Sequence, residues 1–204
     1  MKISDLRLLP VDSKSSLDFS GFTCGNEYID NYLRNERNDS SIAKTYAMTA
    51  AGSDKPIGFF SLCTDNVLTC NDEGHLVFSG SAIRIHMFAI RKDFQGLREL
   101  EIPTENEPVL ITYGNALMNY CLETIFQIAD QVGCAFITVF STRRGYHLYK
   151  KIGSFVPMIK VDRNLDSDFD EYEDELILAK DEESIQFDED DSDFIPMIRM
   201  LYDD

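Results

Sequence analysis

The segment SAIRIHMFAIRKDFQG, residues 81–96, carries the pattern that decides the fold. Apolar side chains dominate Ile83–Ile90, as in a strand that is covered on both faces. A turn containing Gln95 and Gly96 ends this strand, and an amphipathic helix begins near Gly114. A strand that runs through a glycine turn into a helix N-terminus can hold phosphate with backbone N–H groups and the helix dipole. Many α/β proteins contain such a turn, so this pattern alone indicates a fold class and not an activity.

Strands and helices alternate on both sides of this segment. The hydrophobic patterning predicts strands at Leu6–Val11, Ala43–Ala51, Pro56–Asp65, Ser81–Lys92, Cys134–Phe140 and Phe155–Val161, and helices beginning at Asn26, near Gly114 and near Arg144. Gly133 and Gly153 are suited to end the second and third helices. The apolar residues from Phe194 onward predict a last strand that returns to the core. This order indicates one α/β domain with a mixed sheet over residues 1–204.

Acidic residues are concentrated late in the chain. The 204 residues carry a formal net charge of −17, of which residues 162–193 contribute −14 from sixteen acids and two bases. We interpret this segment as an acidic insertion that is mostly solvated, with a short element near Tyr172–Ala179 and the binding of a protein partner as an alternative role. The rest of the chain is nearly balanced, so the basic residues within Arg143–Lys151 do not exclude a small polyanionic ligand.

Composition excludes several other classes of protein. Apolar residues make up 44% and charged residues 27% of the chain, which is ordinary for a folded protein. No apolar stretch approaches the roughly 18 residues that a membrane-spanning helix needs, and no secretory leader is recognisable. Five scattered cysteines without a C-x-x-C pair favour a reduced compartment. We therefore predict a cytoplasmic protein without a membrane segment or a metal site.

Three motifs follow one another in the order FTCGNEYIDNYL (22–33), AIRKDFQG (89–96) and LYKKIGSF (148–155). The first predicts a capped helix whose apolar stripe consists of Tyr28, Ile29, Tyr32 and Leu33. Together the motifs resemble the GNAT superfamily of N-acetyltransferases, in the branch whose N-terminal motif is F-x-C-G-N-x-x-(L/I)-(D/N)-x-(F/Y)-L. That branch includes toxins that acetylate the amino group of aminoacyl-tRNA. The resemblance covers about residues 5–160 and resumes at Phe194–Leu201.

The resemblance implies a single GNAT-like domain with a mixed, mostly antiparallel central sheet flanked by helices. It also implies acetyl-CoA as the acyl donor, with the strand around Phe88, Ala89 and Ile90 binding the pantetheine arm. In the family, a loop of the form Gln/Arg-x-x-Gly-x-Gly/Ala binds the pyrophosphate. Here an insertion at 97–112 interrupts that loop. If the insertion bulges outward and its ends meet, the residues that can still surround the pyrophosphate are Gln95, Gly96, Gly114, Asn115 and Ala116. If it folds inward, its acidic residues would repel a phosphate; they are Glu99, Glu101, Glu105 and Glu107.

The same resemblance implies direct attack of a neutral amine on the thioester, followed by protonation of the CoA thiolate. Tyr149 occupies the position of the family's usual proton donor. His86 is chemically suited to act as a base, although a hydrogen-bonded histidine of the strand is the simpler interpretation. The acceptor is left open among a small-molecule amine, a peptide and aminoacyl-tRNA.

Two alternatives stand beside an N-acetyltransferase of small amines or peptides. A catalytically silent GNAT-fold binding module would explain both the interrupted loop and the acidic segment. A toxin-like acetyltransferase of aminoacyl-tRNA would fit the N-terminal motif, and a basic surface near Tyr149 would favour it. Binding of acetyl-CoA separates the silent module from the two enzymes. A homodimer is compatible with each of these hypotheses.

Overall fold

The computed structural model describes residues 1–39, 41–70, 76–104, 107–161, 175–178 and 194–202. Within these ranges the chain forms ten strands and three α-helices. The strands are β1 (Leu6–Val11), β2 (Lys44–Ala50), β3 (Pro56–Cys70), β4 (Leu76–Ile90), β5 (Arg98–Ile102), β6 (Val109–Thr112), β7 (Phe136–Ser141), β8 (Val156–Val161), β9 (Glu175–Leu178) and β10 (Ile195–Met200). The helices are α1 (Glu27–Asn35), α2 (Tyr113–Val132) and α3 (Arg143–Lys151).

Eight strands share one sheet in the order β1-β2-β3-β4-β7-β10-β8-β9, while β5 and β6 pair in a separate two-stranded sheet. The pairs β1–β2, β2–β3, β7–β10, β10–β8 and β8–β9 are all antiparallel. The prediction of an α/β fold with a mostly antiparallel central sheet is therefore confirmed. By its internal contacts the chain divides into two compact units, Met1–Cys63 with Ile85–Ile128 and Thr64–Arg84 with Ala129–Asp204.

The core of the first unit forms where α1 packs on its strands. Tyr32 and Leu33 of α1 are buried there with Phe59 of β3, and the Tyr32 ring stacks on the Phe59 ring with centroids 6.4 Å apart. Ile29 packs against the same cluster. Tyr28, however, is 60% exposed, so the predicted stripe is wrong at this position. Residues 29, 32 and 33 share one face at spacings of three and four, and residue 28 lies beyond its edge, about 90° from the centre of that face.

The last strand of the chain lies inside the strand order of the second unit and not at its edge. β10 is placed between β7 and β8, with Ile198 opposite Thr138 on one side and Val156 on the other. Ile198 is buried together with Val67 and Ala82. The prediction that the apolar C-terminal residues return to the core as a strand is confirmed.

The insertion at 97–112 is an antiparallel hairpin of β5 and β6, in which Arg98 lies opposite Thr112. Leu100 of this hairpin is completely buried. The N-terminus lies along β5, because the Glu101 N–H donates to the Met1 carbonyl at 3.0 Å and the Met1 ammonium donates to the Glu99 carbonyl at 3.2 Å. The sequence predicted an insertion here, polar as far as about Pro108, and no strands within it. Its strands are too short for their alternation to stand out in the sequence.

Most of the acidic insertion at 162–193 lies outside the described residues. The prediction that this segment binds a protein partner concerns those residues. The exception is β9, whose backbone pairs with β8 within the range where a short element was predicted. None of the helices in the described part of the chain is long and apolar enough to cross a membrane.

Candidate functional site

The end of β4 is held tightly inside the first unit. Ala89 and Ile90 are buried, and Phe88 is half-buried. Gly58 of β3 lies against this segment so closely that a Cβ there would be 2.6 Å from Ile90 Cδ1 and 2.9 Å from the Ala89 carbonyl oxygen. It would also be 3.0 Å from a methyl group of Leu117 on α2. The missing side chain of Gly58 therefore sets how closely β3, β4 and α2 approach one another.

Substitution of Gly58 by alanine is expected to lower the free energy of unfolding by about 1–3 kcal/mol, the usual cost of overpacking. The reason is that the new methyl group must displace the backbone of Ala89 as well as a side chain. Urea denaturation would measure the change. Gly21→Ala is the control, because a Cβ on Gly21 would meet no atom within 4 Å. Equal stability of the two variants would contradict the close approach at β4.

The turn after β4 is held by the side chain of Gln95. Its Nε2 donates hydrogen bonds to the carbonyls of Ile90 and Cys24, each at 2.8 Å. Gly96 follows with φ of +74°, a left-handed conformation that glycine adopts without steric cost. The prediction placed both residues in a turn that contacts a ligand. In the structure Gln95 also ties this turn to the loop before α1.

The two ends of the inserted hairpin meet at the start of α2. The Phe94 ring lies edge-on to the Tyr113 ring, with centroids 4.9 Å apart. The Thr112 hydroxyl accepts a hydrogen bond from the Asn115 N–H at 3.1 Å and donates one to Asn115 Oδ1 at 2.8 Å, which is an N-cap arrangement. Gly114 and Asn115 are half-buried in the first turn of α2, and Ala116 is fully buried behind them. The Gln95 turn and this helix end therefore lie side by side despite the insertion.

Charges of both signs surround this turn. The Arg91 guanidinium lies over the Phe94 ring at 4.7 Å, and its Nε is 3.4 Å from an oxygen of Asp93. Burial, followed by the Glu99 carboxylate, raises the pKa of Tyr113. Arg91 is a half-buried cation beside the candidate phosphate turn that the sequence analysis did not single out. Its position inside the motif AIRKDFQG could have marked it as a residue near the phosphate turn.

His86 packs edge-on against Tyr32, with ring centroids 5.3 Å apart. The Tyr32 hydroxyl is hydrogen-bonded to Thr45 at 3.0 Å. These contacts are those of a histidine held within the strand, which was the simpler of its two interpretations.

Tyr149 lies on α3 in the second unit. Thr142 caps this helix by accepting a hydrogen bond from the Gly145 N–H at 3.3 Å. Tyr149 is only 5% exposed, and its ring lies edge-on to Phe155 at 5.6 Å. A Cβ on Gly145 would be 3.1 Å from the Tyr149 ring. The tyrosine is therefore held in one orientation by neighbours on both of its sides.

The end of α3 differs in detail from the prediction. Gly153 does not adopt a left-handed conformation, whereas Ser154 does, with φ of 55°. Gly153 is required for space, because a Cβ there would be 2.6 Å from the Phe155 ring and 2.8 Å from the Tyr149 carbonyl oxygen. Ser154 is the extra residue in the LYKKIGSF motif. It turns the chain so that the Phe155 N–H donates to the Tyr149 carbonyl at 3.1 Å.

The described residues offer no metal cluster, and three buried cysteines have thiols of raised pKa. No group of three or more His, Cys, Asp or Glu residues in the described ranges could hold a metal ion. Burial raises the pKa of the Cys24 thiol to about 12, so this cysteine stays protonated near neutral pH. Burial likewise raises the pKa of Cys121 and Cys134.

The chain has a mostly antiparallel sheet, a glycine turn after β4, an inserted hairpin that leads into α2, and α3 after β7. This arrangement is that of a GNAT-like fold. Solved structures with this fold agree with that assignment. AtaTR bound with AcCoA matches at a TM-score of 0.60 and 16% identity, over 79% of this chain and 91% of that chain. A tyrosine-to-phenylalanine mutant of KacT matches at 0.57 and 17% identity, over 78% and 91%. A bacterial toxin matches at 0.61 and 14% identity, over 96% and 90%. No protein-family model and no curated protein matches the sequence.

Proposed function

We propose that the protein is an acetyl-CoA-dependent N-acetyltransferase that transfers an acetyl group to a primary amine. The observation that carries this proposal is the junction at the inserted hairpin. Gln95 and Gly96 lie beside the first turn of α2, because Phe94 contacts Tyr113 and Arg98 pairs with Thr112. The start of a helix attracts anions through its dipole and its first N–H groups, of which the Asn115 N–H here donates to Thr112. An interrupted phosphate loop can therefore still bind the pyrophosphate of CoA.

The donor is supported by the solved structures with this fold, since AtaTR was solved bound with AcCoA. In the proposed site, the backbone of Phe88, Ala89 and Ile90 binds the pantetheine arm. Gln95, Gly96, Gly114, Asn115 and Ala116 surround the pyrophosphate. Arg91, whose guanidinium lies over the Phe94 ring, adds a positive charge next to the turn.

The proposed chemistry is direct transfer from the thioester to the amine. The amine must lose its proton to a base or along a path of water molecules before it attacks, because an ammonium group has no lone pair. When the tetrahedral intermediate collapses, the bond between the acyl carbon and sulfur breaks, and the thiolate takes a proton from the Tyr149 hydroxyl. Burial raises the pKa of Cys24, Cys121 and Cys134, so these three thiols are poor candidates for an acetylated intermediate.

The first test is a thermal shift of the purified chain with acetyl-CoA and with CoA. At a hundredfold excess over Kd, binding adds about 2.7 kcal/mol to the free energy of unfolding, so we expect a clear rise in Tm. Adenosine 3′,5′-bisphosphate, which lacks the pantetheine arm, is a control for the nucleotide part alone. No shift at millimolar acetyl-CoA would contradict the proposal and favour the silent binding module.

Aminoacyl-tRNA is a second candidate acceptor, because α3 carries a basic surface. Arg143, Arg144 and Lys151 are exposed on this helix, and Lys150 lies over the Tyr146 ring at 6.0 Å. Neutralising phosphates requires such clustered cations. AtaT, which has the same fold, was solved complexed with acetyl-methionyl-tRNAfMet. We propose to test charged tRNA beside free amines and peptides, and to compare the wild type with Arg143→Glu/Arg144→Glu. If tRNA is the acceptor, this variant should lose activity on charged tRNA and keep any activity on free amines and peptides.

The predictions of a homodimer and of a cytoplasmic location remain part of this proposal. AtaT was also solved bound to the C-terminus of the antitoxin AtaR, which supports a protein partner as a further possibility for this fold. Light scattering at several protein concentrations would measure the oligomeric state.

A further inference from the structure

The buried carboxylate of Asp30 is not explained by the chemistry of acetyl transfer. This residue of α1 is 5% exposed. Its Oδ2 accepts a hydrogen bond from the Thr23 hydroxyl at 2.6 Å, and its Oδ1 accepts one from the Cys24 N–H at 2.9 Å. Burial by itself raises the pKa of Asp30, but these hydrogen bonds outweigh burial and lower the pKa below its ordinary value. The carboxylate is therefore ionised, and it holds the loop before α1.

That loop is shaped so that its carbonyls point toward the turn after β4. Gly25 has φ of +84°, and its N–H donates to the Thr23 hydroxyl at 3.2 Å. Asn26 then caps α1 by accepting a hydrogen bond from the Ile29 N–H. With its N–H and hydroxyl groups used inside the loop, the segment presents the Thr23 and Cys24 carbonyls on its other side.

Both carbonyls are bonded to the turn that contains the candidate phosphate-binding residues. The Thr23 carbonyl accepts a hydrogen bond from the Lys92 N–H at 2.8 Å. The Cys24 carbonyl accepts one from Gln95 Nε2 at 2.8 Å, and the same nitrogen donates to the Ile90 carbonyl. The hydrogen bonds thus run without a gap from the α1 carboxylate, through residues 23–24, to both ends of the turn.

We propose that Asp30 is a positioning residue for the acetyl-CoA site, acting through the loop at 23–24 on Lys92 and Gln95. The inference rests on the proposed function, and it assigns a role to the FTCGNEYID motif that the mechanism leaves without one. Asp30 is buried and bonded to Thr23 and Cys24, so it acts through this loop. It sets where the backbone after β4 lies before the cofactor arrives.

The test compares Asp30→Ala with Asp30→Asn in acetyl-transfer kinetics. Asp30→Ala is expected to raise KM for acetyl-CoA about tenfold, the change that about 1.4 kcal/mol produces, with kcat at saturation changed less than about threefold. Asp30→Asn keeps one carbonyl oxygen for the Cys24 N–H, so its KM should fall between those of Asp30→Ala and the wild type. A fall in kcat without a rise in KM would overturn the positioning role.

Asp39, in the loop between α1 and β2, provides a matched control for Asp30→Ala. Asp39 is an exposed carboxylate that accepts hydrogen bonds from the Ser41 N–H and hydroxyl, which lower its pKa, and neither of its partners reaches the turn. Asp39→Ala should leave KM within about twofold of the wild type. An equal rise in KM for Asp39→Ala and Asp30→Ala would overturn the proposal.

A double-mutant cycle tests the connection itself. Gln95→Ala is expected to raise KM about tenfold, and Asp30→Ala/Gln95→Ala should raise it by about the same factor, because both changes break one chain of hydrogen bonds. A hundredfold rise in the double variant would show independent effects and overturn the connection. Where Asp30→Ala does not fold, Thr23→Val and Asp30→Asn take its place in the cycle.

Amide hydrogen exchange separates this proposal from the proposed function. The Lys92 N–H should exchange at least about tenfold faster in Asp30→Ala than in the wild type, measured without any cofactor. Unchanged Lys92 exchange overturns the connection whatever the kinetics show. If Lys92 exchange rises but wild-type protein shows no thermal shift with acetyl-CoA, the proposed function fails and the positioning role fails with it.

Discussion

Tyr149→Phe is expected to lower kcat for acetyl transfer about 10²- to 10⁴-fold, the range that a general acid contributes. The phenylalanine ring keeps the edge-on contact with Phe155 but carries no proton for the CoA thiolate. Binding of acetyl-CoA does not need that proton, so the thermal shift with acetyl-CoA should persist. Steady-state kinetics combined with the thermal shift would measure both effects.

Tyr146→Phe is the matched control for this experiment. Tyr146 is a second buried tyrosine of α3, 6% exposed, and the proposed mechanism gives it no role. Removal of the Tyr146 hydroxyl in this variant should change kcat by less than about threefold. Wild-type turnover in Tyr149→Phe, or an equal fall in both variants, would remove Tyr149 from the mechanism.

Leu100→Ala is expected to destabilise the protein by about 2–5 kcal/mol, the usual cost of removing a fully buried leucine side chain. Leu100 is completely buried in β5, which also holds the N-terminal residues through the Glu101 N–H. Truncation would leave a cavity that the hairpin cannot close without moving this contact. Chemical denaturation would measure the loss.

Leu110→Ala, on β6 of the same hairpin, is the control for that variant. Leu110 is 52% exposed, so its truncation should change stability by less than about 0.5 kcal/mol. If Leu100→Ala were no more costly than Leu110→Ala, the hairpin would be an appendage that contributes nothing to the core.

Much of the fold could be predicted because its elements are long and strongly patterned. β1 has the predicted bounds, and α1 begins at the predicted cap, Asn26. Strand ends were less accurate: β4 begins at Leu76 instead of Ser81, since a strand extends for as long as a neighbour pairs with it. The β5–β6 hairpin was missed because pairing between two short strands, of five and four residues, is a property of both strands together.

In the candidate site, too, local features could be predicted from the sequence and contacts between distant segments could not. The residue types and their order, AIRKDFQG before a helix, pointed to a phosphate turn on the basis of local chemistry alone. The insertion left open whether the two halves of that turn meet. That question is answered by the contact of Phe94 with Tyr113, across eighteen residues of intervening chain.

The sequence by itself determined the α/β class, most of the elements and the residue types available for chemistry, because hydrophobic period and capping are local properties. Only the tertiary structure decided that the last strand, β10, lies between β7 and β8. It likewise decided that Asp30 is linked to Gln95, 65 positions later in the chain, through the loop before α1. Both arrangements depend on hydrogen bonds between distant segments, and periodicity within one segment carries no information about its partner.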